Sequence, residues 1–357
     1  MSWLLAFVGF AVLIILHEAG HFFAAKAVGM RVERFSLFFP PLLARKTRGE
    51  TEYAIGAIPL GGYVKITGMN PAEDIPPEHA HRAYYRQPVW KRIVVIAAGP
   101  AVNIVLAFLI MAGVFMARGP VEPPLVVGNV EANLPADGKL RQGDKLIAVD
   151  GKRLTGDYQA QLKQVTDAVG SHKGDAVSFT VDRGGQQVTV SGNTFYDGKQ
   201  TPPRYRFGFG YDQEASRIDV GPLRASKEAV SEMWFVTSTT VSHIAQIFQA
   251  EKRKEIGSVV GGYETTRQTI EQQDLIVTLY VLALISLSLG VINLFPFLPL
   301  DGGHIFWALA EKVRGKAIPF SVMERAGFVG FALVLMLFFI GLTNDIERIQ
   351  NGGFGLR

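Results

Sequence analysis

One apolar run, from Trp3 to Val28, carries His17-Glu18-Ala19-Gly20-His21 within it, and no other feature constrains this chain of 357 residues as strongly. About 20 apolar residues cross the roughly 30 Å of bilayer hydrocarbon, so the run is expected to span a membrane. A charged or strongly polar group at that depth costs at least about 2.5 kcal/mol on insertion scales, which makes three so close together hard to explain as packing. At i and i+4 the two imidazoles share a helix face, the spacing that lets both grip one zinc ion. Glu18 lies beside them as a base able to take a proton from water. No Lys or Arg precedes the run and it extends past Ala24, unlike a cleaved secretory signal, so a retained span is expected.

Three more runs qualify as spans, at about 93–117, 275–298 and 320–342. Basic residues set the orientation. Arg31, Arg34, Arg45, Lys46 and Arg48 follow the first span, Arg82, Arg86, Lys91 and Arg92 precede the second, and Lys312, Arg314 and Lys316 separate the third from the fourth. Only Arg118 closely follows the second. By the positive-inside rule both short loops are cytoplasmic, which puts the termini and residues 119–273 outside a multi-pass protein of the cytoplasmic (inner) membrane. At 1.5 Å per residue His17 lies about 21 Å beyond Trp3, in the inner half of the bilayer. The formal charge of +4 reflects these basic loops and is no nucleic-acid signal, and with no cysteine in the chain thiolate ligands and nucleophiles are excluded.

The expected fold is a polytopic α-helical membrane protein with about four transmembrane helices, a small membrane-associated β-hairpin region and an extracytoplasmic β-rich PDZ-like domain. Residues 1–118 form the first half of the membrane core, 119–215 the PDZ-like domain, 216–273 an amphipathic connector and 274–357 the second half. Residues 52–66 read as two short strands around a Pro/Gly turn, and 45–50 as the turn of an earlier hairpin. A small sheet there would dip toward the metal and present an edge. In the outer domain, the Gln142-Gly143-Asp144 turn, the following apolar strand, Asp150-Gly151 and an amphipathic stretch from Asp157 to Val169 follow the order of a PDZ domain, which adds extended peptides to a sheet edge. Its groove is expected near Gly128, Asn129 and Val130.

The second span opens with Gly99-Pro100-Ala101-Val102-Asn103, where Asn103 serves either an interhelical hydrogen bond or the metal site. The third ends in Asn293-Leu294-Phe295-Pro296-Phe297-Leu298-Pro299-Leu300-Asp301-Gly302-Gly303-His304. Two prolines three residues apart break the helix and can turn Asp301 back toward His17 and His21. A third, carboxylate ligand leaves one zinc position for water, the layout of a hydrolytic site. His304 is the alternative third ligand.

The His-Glu-Ala-Gly-His run, Gly-Pro-x-x-Asn at 99–103 and Asn-x-x-Pro-x-x-Pro-Leu-Asp-Gly-Gly-His at 293–304 together resemble the three hallmark motifs of site-2 proteases. Their order around a PDZ-like insertion is similar to that of bacterial intramembrane proteases that release envelope-stress sigma factors. Residues 48–53 with 59–62 look most like the actinobacterial branch. The resemblance implies that His17, His21 and Asp301 bind Zn2+, that Glu18 is the catalytic base, and that Asn103 and Asn293 line the substrate cleft. It implies that 59–66, with Gly61, Gly62, Tyr63 and Val64, pairs with an unwound substrate. The implied partner is a membrane protein with a transmembrane helix, an anti-sigma factor already cut outside. One PDZ-like domain in place of the two of enterobacterial members, and a loose match at 257–264, are departures. The alternative function is a zinc-binding membrane transporter or sensor without proteolysis, against which Glu18 beside the ligands and the lack of repeated halves argue.

Overall fold

The computed structural model describes residues 1–70, 73–198, 204–213, 216–246, 257–272 and 274–350. Among them, four helices are long and apolar enough to cross a membrane: α1 (Ser2–Ala27), α2 (Val89–Arg118), α6 (Leu275–Asn293) and α8 (Phe320–Gln350). Helix α6 stops short of the expected end near 298, because Pro296 and Pro299 bring no N–H to extend its ladder. Lipid tails are as apolar as leucine, so these helices associate through close backbone approach and interhelical hydrogen bonds. Small residues sit where they cross: a Cβ at Gly20 of α1 would stand 2.6 Å from Ala98 O of α2, and one at Gly290 of α6 would stand 3.0 Å from Pro100 O. Ser286 Oγ of α6 donates to Asn103 O of α2 at 2.9 Å.

Strands β1 (Val32–Arg48) and β2 (Thr51–Ile66) follow α1, and the turn expected over 45–50 is confined to Gly49–Glu50, with 45–48 belonging to β1. In place of the expected two short strands around a turn at Pro59, β2 runs on as one strand with no turn there, and its two halves do not pair with each other. Ser36 pairs with Ala54 on one flank and with Tyr63 on the other, while Arg45 pairs with Ala54. The sheet therefore runs 62–66, 32–37, 52–55, 44–48, with 62–66 outermost. The crossing is tight: a Cβ at Gly56 would stand 2.1 Å from Phe39 O, which glycine alone allows.

The β-rich unit comprises β3 (Val127–Val130), β4 (Lys145–Val149), β5 (Lys152–Arg153), helix α3 (Tyr158–Ser171), and β6 (Ala176–Arg183) paired with β7 (Gln186–Asn193). It closes with β8 (Phe195–Asp197), β9 (Arg204–Arg206) and β10 (Phe209–Tyr211). Alternate residues of β6, Val177, Phe179 and Val181, are fully buried against Leu125, Val127 and Leu146, the period-two pattern of a strand with one face in a core. The strand expected to carry the groove, with Gly128, Asn129 and Val130, is β3, and it is paired. On one side β3 pairs with β10, and on the other Gly143 N–H donates to Val127 O and Val127 N–H to Asp144 O, each at 2.8 Å. Val127 is thus held on both sides, and in the β3–β10 pair β10 lies outermost.

The connector is more integrated than an amphipathic surface segment, although its residues 247–256 and 273 lie outside those described. Helix α4 (Pro222–Ala245) packs on α2 and α6, and α5 (Val259–Glu271) is wedged between α1 and α8. Tyr263 Oη donates to Trp3 O at 2.8 Å, and Asp345 of α8 accepts from Ser258 N at 2.6 Å and Gly261 N at 2.9 Å, capping α5.

Candidate metal centre

One helical turn separates His17 from His21, so both rings leave the same face of α1, the face that meets α2. Both are buried at 7% exposure. The break after α6 brings the chain back, and α7 (Asp301–Arg314) begins with Asp301 in front of the rings. Its glycines permit this return: a Cβ at Gly302 would stand 2.1 Å from Leu294 O, and one at Gly303 2.5 Å from Leu298 N. Asp301 Oδ2 lies 3.2 Å from His17 Nε2 and 3.3 Å from His21 Nε2, and the two Nε2 atoms are 3.2 Å apart. Among the described residues these three side chains form the one cluster that could hold a metal ion. His304, the alternative third ligand, is not in it.

The donor set fits a cation. Despite those short separations, Asp301 Oδ2 is buried with no hydrogen-bond partner. His21 Nδ1 lies 2.8 Å from Val95 O, which can only accept, so the proton of neutral His21 sits on Nδ1 and the lone pair on Nε2 faces the cluster. Buried lone pairs converging on a carboxylate repel one another unless a positive ion lies among them. The ring lies tight against α2: a Cβ at Gly99 would fall 2.2 Å from His21 Nε2, 2.6 Å from Cε1 and 2.8 Å from Cδ2, so glycine is what lets the imidazole sit there. Two nitrogens and one carboxylate oxygen suit zinc, with a position left for water.

Glu18 follows His17 and is half-buried. The outer strand of the hairpin passes directly over it, since a Cβ at Gly62 would stand 2.9 Å from Glu18 Cγ and 2.9 Å from Ser36 O. Gly61 has φ +156°, and Tyr63 stacks on Phe39 with ring centroids 6.0 Å apart while its hydroxyl accepts from Arg34 Nη1 at 3.1 Å. Thr67 N–H donates inward to Arg31 O at 3.0 Å. By the two-residue alternation of a strand, the N–H and C=O of Val64 then face outward, along a cavity of about 450 Å³ lined by Tyr63, Val64, Lys65, Ile66, Met69, Asn70 and Glu73.

Asn103 is fully buried behind His17, with Nδ2 3.1 Å from His17 Nδ1, and it contributes no surface to a cleft. Asn293 is half-buried at the end of α6. Sequence reasoning missed Val95, whose contribution is a backbone carbonyl, and the pairing of Arg92 with Glu311, two charged residues far apart in the chain.

The family model of peptidase family M50 matches residues 5–337. The chain is 30% identical over 355 residues to a Brucella suis protein named as a zinc metalloprotease, with 94% of this chain and 92% of that protein covered. It is 28% identical over 443 residues to the regulator of sigma-E protease RseP of Escherichia coli (96% and 97% covered). It is 30% identical over 387 residues to the zinc metalloprotease Rip1 of Mycobacterium tuberculosis (94% of each). Among solved structures, the PDZ domain of the SdrC-like protein of Listeria monocytogenes matches 27% of this chain and 94% of its own, at 18% identity and a TM-score of 0.22.

Proposed function

This chain belongs to peptidase family M50, the site-2 protease family, and is a zinc metalloprotease; from that premise we propose that it cleaves the transmembrane segments of membrane proteins within the bilayer. The observation that carries the reading is the convergence of His17, His21 and Asp301 beneath an outer strand that crosses Glu18. His17 Nε2, His21 Nε2 and Asp301 would hold the zinc ion. When bound, zinc supplies Lewis acidity and lowers the pKa of water toward about 7. Glu18 takes the proton of the attacking water and passes it to the leaving amine, a role worth about 10² to 10⁴ in rate.

A transmembrane substrate hides its carbonyls in its own helical hydrogen bonds, so it must unwind before cleavage. In hydrocarbon each unpaired backbone group costs about 2 to 7 kcal/mol in transfer measurements. The outward N–H and C=O of Val64 can replace one pair of lost bonds, while Gly61 and Gly62 let the substrate backbone approach and Tyr63 stiffens the strand against Phe39. Asn293, at the broken end of α6, lines the same approach. Spans containing Gly, Pro or Asn, which open easily, are the favoured substrates.

The basic loops support an orientation with the termini and the β-rich unit outside the cytoplasmic membrane. There the β-rich unit acts as a PDZ domain, taking a peptide at β10 and excluding substrates whose outer part is still bulky. An anti-sigma factor already cut outside would meet these demands, in line with the name of the Escherichia coli relative. The test is proteomics of fragments released from membranes of cells carrying wild-type or Glu18→Gln protein. Fragments that begin within transmembrane segments and disappear with Glu18→Gln are expected. Identical fragment sets from both strains would overturn the proposal.

A further inference from the structure

Helix α2 supplies none of the three clustered side chains, yet one of its stripes touches or steers all of them. Arg92, Val95, Gly99 and Asn103 are spaced i, i+3, i+7 and i+11, which aligns them on one helix face over about 16 Å. Val95 O fixes His21, and Gly99 lets the His21 ring lie close against α2. The stripe's two ends, Asn103 and Arg92, remain to be explained.

Asn103 is fully buried beside His17 Nδ1, and its Oδ1 has no partner. The oxygen and nitrogen of an amide exchange places by a half-turn of the side chain. With the His17 Nε2 lone pair directed at the cluster, the ring proton must be on Nδ1, which then needs an acceptor. Oδ1 turned toward His17 supplies it. The orphaned oxygen and the ring proton answer each other.

Arg92 is 7% exposed and binds Glu311 of α7 through both of its terminal nitrogens, at 2.9 and 2.8 Å, with its guanidinium 6.0 Å from the centre of the Tyr84 ring. A two-pronged pair of this kind fixes direction as well as distance. Glu311 lies about 15 Å along α7 from Asp301. Since α7 enters from a non-helical loop, the pair anchors its far end against α2 and sets where Asp301 points.

We propose that α2 is the positioning element of the metal centre, with Asn103 holding the tautomer of His17 and Arg92 holding Asp301 through Glu311. The inference rests on the reading of His17, His21 and Asp301 as zinc ligands. Groups that orient metal ligands typically change affinity by about 10- to 100-fold when removed.

The experiment measures zinc affinity of the full-length chain in detergent by competition with a chromophoric chelator, with Glu18→Gln as background so that no proteolysis intervenes. Asn103→Leu should weaken zinc by about 10- to 100-fold, and Asn103→Asp, which keeps an acceptor for Nδ1–H, should recover most of that loss. Glu311→Gln, nearly isosteric, should weaken zinc by about tenfold, and by much less when Asp301 is already Ala. Wild-type affinity in Asn103→Leu, no advantage of Asp over Leu, or an undiminished Glu311→Gln effect in the Asp301→Ala background would each overturn the proposal. His17→Ala separates it from its premise. If that variant keeps full affinity, the ligand assignment falls, whereas its loss alongside intact affinity in Asn103→Leu sinks the positioning role alone.

Discussion

Two carboxylates with buried oxygens, one in the β-rich unit and one in the membrane half, are treated in opposite ways. Asp144, 2% exposed, accepts from Arg183 Nε at 2.8 Å and Nη2 at 2.6 Å and from the Arg141 N–H at 2.9 Å. Nothing further is needed there. Asp301 meets two imidazole nitrogens at 3.2 and 3.3 Å and its Oδ2 still has no hydrogen bond, with the Asn103 Oδ1 also orphaned nearby. A low-dielectric interior penalises unsatisfied polar groups, so one unit is complete as folded, whereas the other has a donor set that fits a cation. Turn glycines and site glycines also differ. Gly138, Gly143 and Gly151 of the β-rich unit sit at turns with positive φ and open space, whereas Gly20, Gly62 and Gly99 sit where a single methyl group would strike the site or the helix beside it.

Gly99→Ala attacks the comparison hardest. The added methyl would occupy the position 2.2 Å from His21 Nε2, so zinc stoichiometry and proteolysis should both be lost, while the melting transition of the β-rich unit stays in place. Elemental analysis alongside a thermal scan checks this, and full zinc in the variant would mean that the ligands are arranged otherwise. Phe179→Ala is the converse. It empties a fully buried position and should destabilise the β-rich unit by about 3 to 5 kcal/mol, leaving zinc content unchanged.

A smaller effect is expected at the outer strand. Val64→Pro deletes the outward N–H and should slow cleavage of helical substrates by about tenfold, the value of roughly 1.4 kcal/mol, whereas Val64→Thr should be mild. A substrate pre-opened by a Pro-Gly pair should partly escape the Val64→Pro defect, and equal rates for both variants on a helical substrate would remove the strand from the mechanism. The smallest effect concerns pH. Burial raises the Asp144 pKa, but Arg183 and the Arg141 N–H outweigh it and hold the carboxyl below its usual range. A folded pKa below the unfolded value of about 3.9 stabilises the unit above that pH and loses the contribution as pH falls through the folded value. Stability of the β-rich unit, followed by near-ultraviolet circular dichroism, should therefore be insensitive to Asp144 between about pH 7 and 5 and decline only below about pH 4.

What could be read from the sequence was whatever a local rule fixes. The i, i+4 histidines, a helix break in the double-proline stretch, the four apolar runs and a turn within 45–50 follow from helix period, proline chemistry, bilayer thickness and turn composition; the structure bears them out, with the helix ending earlier, at Asn293, and the turn narrowed to Gly49–Glu50. What could not be read depends on which segments become neighbours. The extended segments on either side of Pro59 are legible, but not that they form one strand with 34–37 between its halves, nor that β10 pairs outside β3. Asn103 was recognisable as a polar exception in an apolar helix. Its contact with His17 Nδ1, in place of a cleft, comes from the crossing of α1 and α2.

The central claim is that the membrane cluster is a catalytic zinc site in which Glu18 moves protons without holding the metal. Purified wild-type and Glu18→Gln protein should be compared for bound zinc and for cleavage of a transmembrane peptide in the same detergent preparation. Both proteins should carry one zinc ion per chain, with cleavage by the variant reduced by at least about 10²-fold. Wild-type cleavage by Glu18→Gln, or loss of zinc from it, would contradict the account.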